Sequence, residues 1–266
     1  MKTGFIGTGN LAKALVSGMI FSGGIKKEDI LASNRTLEKG RDFAKDLGVV
    51  FLESNLELVR RSDVIFLTVK PGMYKDVIGG IKDLELSGKV FVSVAAGLGL
   101  ENIKKSFGKD VPIVRSMPNT PSMLGAGMAA ICPNELVTEG QLEEVRKIFS
   151  SFGRCEIVTE DLFDVVTGVS GSGPAYAYMF IDAMAKAAGK QGMDPEKAIV
   201  FAAQSVLGAA RMILEGEDEP DVLIDKVCSP GGTTIEAVDE FRKRNLYGMV
   251  EDAMKRCIER SAQLGK

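Results

Sequence analysis

The chain has 266 residues, enough for one large or two medium domains at about 100–200 residues each. An apolar share of 45% and a charged share of 26% suit a globular protein with a core, and a net charge of −3 without a Lys/Arg run argues against nucleic acid as a partner. The absence of histidine excludes Ser-His-Asp and Cys-His nucleophiles, dehydrogenases with a histidine acid/base, and zinc sites of the usual kind, so no metal is expected.

The first half alternates strand and helix patterns. Apolar runs at Gly4–Ile6, Ile30–Ser33, Val49–Leu52, Val64–Val69, Val90–Val94 and Val111–Val114 predict strands. Helical spacing at Leu11–Phe21, Leu37–Leu47 and Tyr74–Lys82 falls between them. Val64-Ile65-Phe66-Leu67 is apolar at every position, as in a strand buried on both faces, so the pattern predicts a parallel sheet with helices on both sides. Thr138-Glu139-Gly140-Gln141 has the form of a capping box opening a helix to about Ser151, and Cys155–Val158 reads as a last strand.

After about Asp161 the strand signal stops. Helices are expected at Ser172–Lys190, from Asp194-Pro195-Glu196 onward, at Asp221–Lys226, at Thr233–Lys243 and at Tyr247–Leu264. Ala198–Leu214 contains Gln204, Ser205 and Arg211, which reads as an amphipathic helix and not a membrane span. The architecture is therefore α/β: an N-terminal Rossmann-type parallel-sheet domain over 1–160, then an all-helical C-terminal domain over 161–266. A helical unit this rich in Ala and Met points to a dimer, with its apolar surface buried in a partner. Cys132, Cys155, Cys228 and Cys257 form no C-x-x-C pair and read as buried small hydrophobes in a reducing, cytoplasmic compartment.

Gly7-Thr8-Gly9-Asn10-Leu11-Ala12 follows the first strand and opens the first helix, the context in which G-x-G-x-x-A binds a dinucleotide. Gly7 permits the tight turn, Gly9 lets a pyrophosphate approach the backbone, and the helix N-terminus supplies free N–H groups. An NAD site usually ends its second strand in Asp or Glu, roughly 20 residues past the glycines. Here that strand ends Ser33-Asn34-Arg35, with no carboxylate to repel a phosphate and a guanidinium to grip one, which predicts NADP(H). Two further segments stand out. Arg115-Ser116-Met117-Pro118-Asn119-Thr120-Pro121 lies at a strand end, where Asn119 offers amide groups to a ring or carboxamide; a rigid turn is the alternative. Ser229-Pro230-Gly231-Gly232-Thr233-Thr234 opens a helix and makes a carboxylate nest or a capped turn.

These segments, with Val69-Lys70-Pro71 and Ser170-Gly171-Ser172-Gly173-Pro174-Ala175-Tyr176, together and in this order resemble the pyrroline-5-carboxylate reductase family, over essentially the whole chain. The resemblance implies hydride transfer from NAD(P)H to the C=N carbon of 1-pyrroline-5-carboxylate, giving L-proline in the last step of its biosynthesis; with Arg35 in place, NADPH is the expected cofactor and NADH a weaker one. It implies a helical domain interlocking two subunits, and often decamers built from such dimers. It places Gly7, Thr8, Gly9, Asn10 and Leu11 at the pyrophosphate, Asn34 and Arg35 at the 2′-phosphate, and Asn55 near the adenosine. Val69, Lys70 and Pro71 would line the cofactor cleft, and Ala95, Ala96, Gly97, Pro118 and Asn119 would surround the nicotinamide. The substrate would lie among Val227, Ser229, Gly231, Gly232, Thr233 and Thr234, its carboxylate on the Gly232 and Thr233 N–H groups and its ring nitrogen near the Thr234 hydroxyl, the catalytic group. Leu11 stands where the family often has Met, and Cys228 where it has Ser or Thr.

Two rivals remain. A β-hydroxyacid dehydrogenase places a lysine early on the first long helix after the sheet, whereas here Lys186 comes about four turns in. A non-catalytic NADP-binding protein would have no use for the Ser229–Thr234 nest.

Overall fold

The computed structural model describes residues 1–264. Its sheet has eight strands: β1 (Thr3–Ile6), β2 (Ile30–Ser33), β3 (Val50–Phe51), β4 (Val64–Leu67), β5 (Val90–Ser93), β6 (Ile113–Met117), β7 (Gly127–Pro133) and β8 (Gly153–Ile157). Their order is β3-β2-β1-β4-β5-β6-β7-β8. From β3 through β6 every pairing is parallel. β7 then pairs antiparallel with β6 and parallel with β8, so the last two strands run against the rest. The expected parallel sheet thus spans β1 to β6, and the two strands at its far edge are added to it in the opposite direction. The strand missed was β7, whose Gly-Met-Ala-Ala-Ile-Cys-Pro carries small residues in place of the β-branched run that signals a strand.

Alternate strand residues supply two cores, one on each face. Phe5, Ile30, Ala32, Val64, Phe66, Val90, Val92 and Val114 face one side. There they meet α1 (Asn10–Ser22) through Leu15, Val16 and Met19, and α2 (Leu37–Leu47) through Phe43 and Ala44. Ile6, Leu31, Ile65, Leu67, Phe91 and Ile113 face the other. Their partners include Leu58 and Val59 of α3 (Asn55–Arg61), Tyr74 and Ile78 of α4 (Tyr74–Gly79), and Ile103 and Phe107 of α5 (Leu100–Phe107). α6 (Glu139–Ser150) starts on the expected capping box: Thr138 accepts the Gln141 N–H at 3.2 Å while Gln141 accepts the Thr138 N–H at 3.0 Å.

The chain forms two compact units. The first joins Met1–Ser172 to the C-terminal segment from Cys257; the second is Gly173–Arg256. Among the described residues no strand follows β8. After a short helix α7 (Phe163–Val166) come a π-helical turn, Thr167–Gly171, and then α8 (Gly173–Lys190), α9 (Pro195–Glu215), α10 (Pro220–Val227), α11 (Thr233–Lys243) and α12 (Leu246–Leu264). Within the second unit α8 and α9 pack on alanines, Ala185 against Ala198 and Ala202. Their large apolar residues stay outside: Met179, Val200 and Phe201 are each more than 60% exposed. The four cysteines are half-buried and unpaired, where burial was expected; burial raises the thiol pKa of Cys155 to about 11, so it is no thiolate nucleophile.

Candidate active site

Because β1, β2, β4, β5 and β6 are parallel, their C-terminal ends share one edge of the sheet. After β1 the chain steps outward through β2 and β3, then crosses back to β4 on the other side of β1. Between β1 and β4 the loops part in opposite directions, and in open α/β sheets a ligand crevice forms there. A cleft of about 520 Å³ opens at this point, walled by Gly7 from the end of β1, Asn34 and Arg35 from the end of β2, Asn55 from α3, and Val69 beyond β4. All five were expected at a cofactor. Leu37, Glu53, Met73, Asp76 and Val77 also line it and were not foreseen.

The turn after β1 is shaped for a group from outside. Gly7 holds φ 105°, and its N–H donates to the Ser33 carbonyl at 2.9 Å. Gly9 is extended at φ −79° and a Cβ built on it meets no protein atom within 4 Å. Neither backbone strain nor packing therefore requires glycine at 9; the space beside it is open. The Thr8 hydroxyl is buried without a partner among the described residues. Asn10 and Leu11 begin α1, whose N-cap Gly9 offers no side chain to the free N–H groups of the first turn. An anion would satisfy those donors.

Charge in the cleft is uneven. Glu53 is tied to Arg41 by an ion pair, whereas no acidic side chain among the described residues pairs with Arg35. Asn55 is oriented by the Ser33 hydroxyl, which donates to its Oδ1 at 2.7 Å and leaves the amide NH₂ as its remaining donor. Lys70 is exposed, and its carbonyl accepts the Met73 N–H at 2.8 Å, capping the single 3₁₀ turn Pro71–Met73.

The residues expected at a nicotinamide follow β5 and β6. Ala95, Ala96 and Gly97 leave β5, with Ala95 and Gly97 buried and Gly97 at φ 75°. Gly97 opens on a separate cavity of about 260 Å³ shared with Arg115 and Glu160. There the buried Arg115 guanidinium lies 4.4 Å above the Phe163 ring and donates to Glu160 Oε1 at 3.0 Å. The same oxygen accepts the Leu100 N–H at 2.7 Å, joining the start of α5 to β6. Pro118 and Asn119 follow β6 and are buried. The Asn119 amide, expected to face a ring or carboxamide, is oriented by the protein: Nδ2 donates to the Ser170 carbonyl at 3.0 Å and Oδ1 accepts the Met128 N–H at 2.9 Å, which leaves a second N–H on Nδ2.

In the second unit, Ser229–Gly232 forms a turn between α10 and α11. Gly231 takes φ 70°, and the Gly232 N–H closes the turn on the Ser229 carbonyl at 2.9 Å. That corrects one expectation: the Gly232 N–H is not available to a carboxylate. The open donors are those of the first turn of α11, beginning with Thr233 and Thr234, and no side chain caps them. Val227 and Ser229 are exposed beside them, and Cys228 is half-buried.

Similarity to known proteins covers both the sheet and the helices. Residues 160–264 match the family model described as pyrroline-5-carboxylate reductase dimerisation, and residues 2–97 the one described as NADP oxidoreductase coenzyme F420-dependent. The chain is 42% identical over 265 residues to the pyrroline-5-carboxylate reductase of Escherichia coli K12, covering 100% of this chain and 98% of the relative. Against human pyrroline-5-carboxylate reductase 2 it is 38% identical over 270 residues, covering 99% and 84%. It superposes with a TM-score of 0.91 on the reductase of that name from Coxiella burnetii, at 36% identity with 100% and 98% covered. With the Plasmodium falciparum pyrroline carboxylate reductase solved with NADP bound, the TM-score is 0.90 at 31% identity, again covering 100% and 98%. Likeness of this degree runs through both units, sheet and helices alike, and the chain belongs to the pyrroline-5-carboxylate reductase family.

Proposed function

We propose that this chain reduces the C=N bond of 1-pyrroline-5-carboxylate to L-proline with NADPH, the last step of proline biosynthesis. The end-to-end similarity to reductases named for this substrate carries the reading. Arg35 in the cleft, with no acidic partner among the described residues, supplies a physical reason for NADPH over NADH.

The donor set suits that cofactor. Gly7, Thr8, Gly9, Asn10 and Leu11 would hold the pyrophosphate, Asn34 and Arg35 the 2′-phosphate, and Asn55 the adenosine. Val69, Lys70 and Pro71 would form the cleft wall, with Ala95, Ala96, Gly97, Pro118 and Asn119 around the nicotinamide. When bound, NADPH supplies the hydride that reduces the imine carbon.

The protein's own share is positioning. The Thr233 and Thr234 N–H groups, at the positive end of α11, would take the substrate carboxylate. Val227, Ser229, Gly231 and Gly232 shape the turn beside them. The Thr234 hydroxyl would hold the ring nitrogen. A hydroxyl is a poor acid, so water delivers the proton that completes the amine. Holding two reactants in attack geometry supplies about 7–11 kcal/mol of a barrier, which suits a chain with no histidine to spend on proton transfer.

The division of labour we assign is cofactor binding to residues 1–160, and substrate binding and dimerisation to residues 161–266. α9 is long and apolar enough to cross a membrane by length and composition alone. Its outward Val200 and Phe201 lie in the segment matched by the dimerisation model, so we assign them to a second copy of this chain. Homodimers, further assembled into decamers, in the cytoplasm and without membrane or nucleic-acid partners, complete the reading. The test is product analysis. Incubation with pyrroline-5-carboxylate and NADPH should yield L-proline in amounts equal to the NADPH consumed, and absence of proline would refute the assignment.

A further inference from the structure

We propose that Thr68 is a positioning residue for the dinucleotide's pyrophosphate, acting through the peptide between Gly7 and Thr8; the inference rests on the cofactor reading above. Thr68 is the first residue after β4, across the switch point from the glycine turn. The turn is pressed against it: a Cβ on Gly7 would lie 2.7 Å from the Thr68 carbonyl oxygen and 2.9 Å from Val69 Cγ1. The Thr68 hydroxyl lies 2.7 Å from the Gly7 carbonyl oxygen and 3.0 Å from that of Ile6. The Ile6 oxygen already accepts the Thr68 N–H at 3.0 Å. A hydroxyl has one proton to give, and the shorter contact takes it to Gly7.

That hydrogen bond sets the direction of a donor. In a trans peptide the carbonyl and the following N–H point opposite ways, and the described residues contain no cis bond. Holding the Gly7 carbonyl on Thr68 therefore turns the Thr8 N–H away from residue 68. The Gly7 N–H is held on its own partner, the Ser33 carbonyl, so the turn is fixed on both sides of Gly7. Without the hydroxyl, glycine's freedom lets the peptide rotate and aim its carbonyl at the space a phosphate needs. Thr68 thus stabilises the donor orientation without touching the ligand.

The test uses the full-length protein with Thr68→Val, which keeps the shape and removes the hydroxyl, and Thr68→Ser, which keeps the hydroxyl. Binding of NADP⁺ is measured by calorimetry. Binding of adenosine 2′-monophosphate, which carries the phosphate assigned to Arg35 but no pyrophosphate, is measured in parallel. Thr68→Val should weaken NADP⁺ about tenfold and leave adenosine 2′-monophosphate within about twofold, and Thr68→Ser should keep both within about twofold. Unchanged NADP⁺ affinity in Thr68→Val overturns the proposal. So does equal weakening of both ligands, which marks a general loss of cleft structure, and so does a Thr68→Ser protein as weak as Thr68→Val. If Thr68→Val does not fold, Thr68→Ala carries the same comparison. Failure of the reductase reading looks different: the unsubstituted protein would bind NADP⁺ yet produce no proline.

Discussion

Arg35 stands where an NAD site would carry a carboxylate, and among the described residues no acidic side chain pairs with its guanidinium. A phosphate held by a charged hydrogen bond gains about 1.5–3 kcal/mol, or roughly 10- to 100-fold in affinity. Arg35→Ala should raise KM for NADPH by that factor and leave KM for NADH nearly unchanged; equal effects on both would show that Arg35 does not meet the 2′-phosphate. Thr234 tests the other end of the reaction. Thr234→Ala should lower kcat about 10- to 100-fold through loss of one hydrogen bond to the reacting ring, with the KM for NADPH nearly intact. Unchanged turnover would remove Thr234 from the mechanism.

At the scale of elements, Tyr74 locks the cleft edge. It opens α4, donates to the Leu67 carbonyl at the end of β4 at 2.7 Å, and lies 3.0 Å from the Ser93 hydroxyl at the end of β5. Burial pushes its phenol up to about 12, although the Ser93 hydroxyl and the Val94 and Ala95 backbone pull the other way. A raised pKa means the neutral phenol belongs to the folded state. Its stability is complete below the ordinary tyrosine value near 10 and is lost as pH rises toward about 12. Tyr74→Phe should cost about 1–3 kcal/mol at neutral pH by leaving the Leu67 carbonyl without its donor. Its unfolding temperature should then fall less steeply with alkaline pH than that of the unsubstituted protein; parallel slopes would contradict the lock. Sequence legibility divides along the same lines. β1, β2, β4 and β5 were readable because both faces are buried and nearly every residue is apolar. β7, α3 and α5 were not, and small residues in place of a β-branched run are what blur the first. The glycine turn was readable because its motif is local. Met73, Asp76 and Val77 were not, since they reach the cleft only once α4 packs under β4.

At the scale of the whole molecule, the second unit leaves Met179, Val200 and Phe201 exposed, while a small cluster of Ala185, Ala198 and Ala202, with Ile181 packed against it, fills the space between α8 and α9. Such surface is costly in water at about 25 cal/mol per Å² and calls for a partner. Light scattering should give a mass of at least two chains, and Phe201→Asp should shift it toward one; an unsubstituted monomer would contradict the dimer. The central claim, an NADPH-dependent imine reductase, is tested most directly by loss of NADPH absorbance on adding 1-pyrroline-5-carboxylate, with NADH in parallel. The account predicts rapid oxidation of NADPH and slower oxidation of NADH at equal subsaturating concentrations. No oxidation of either cofactor would contradict it.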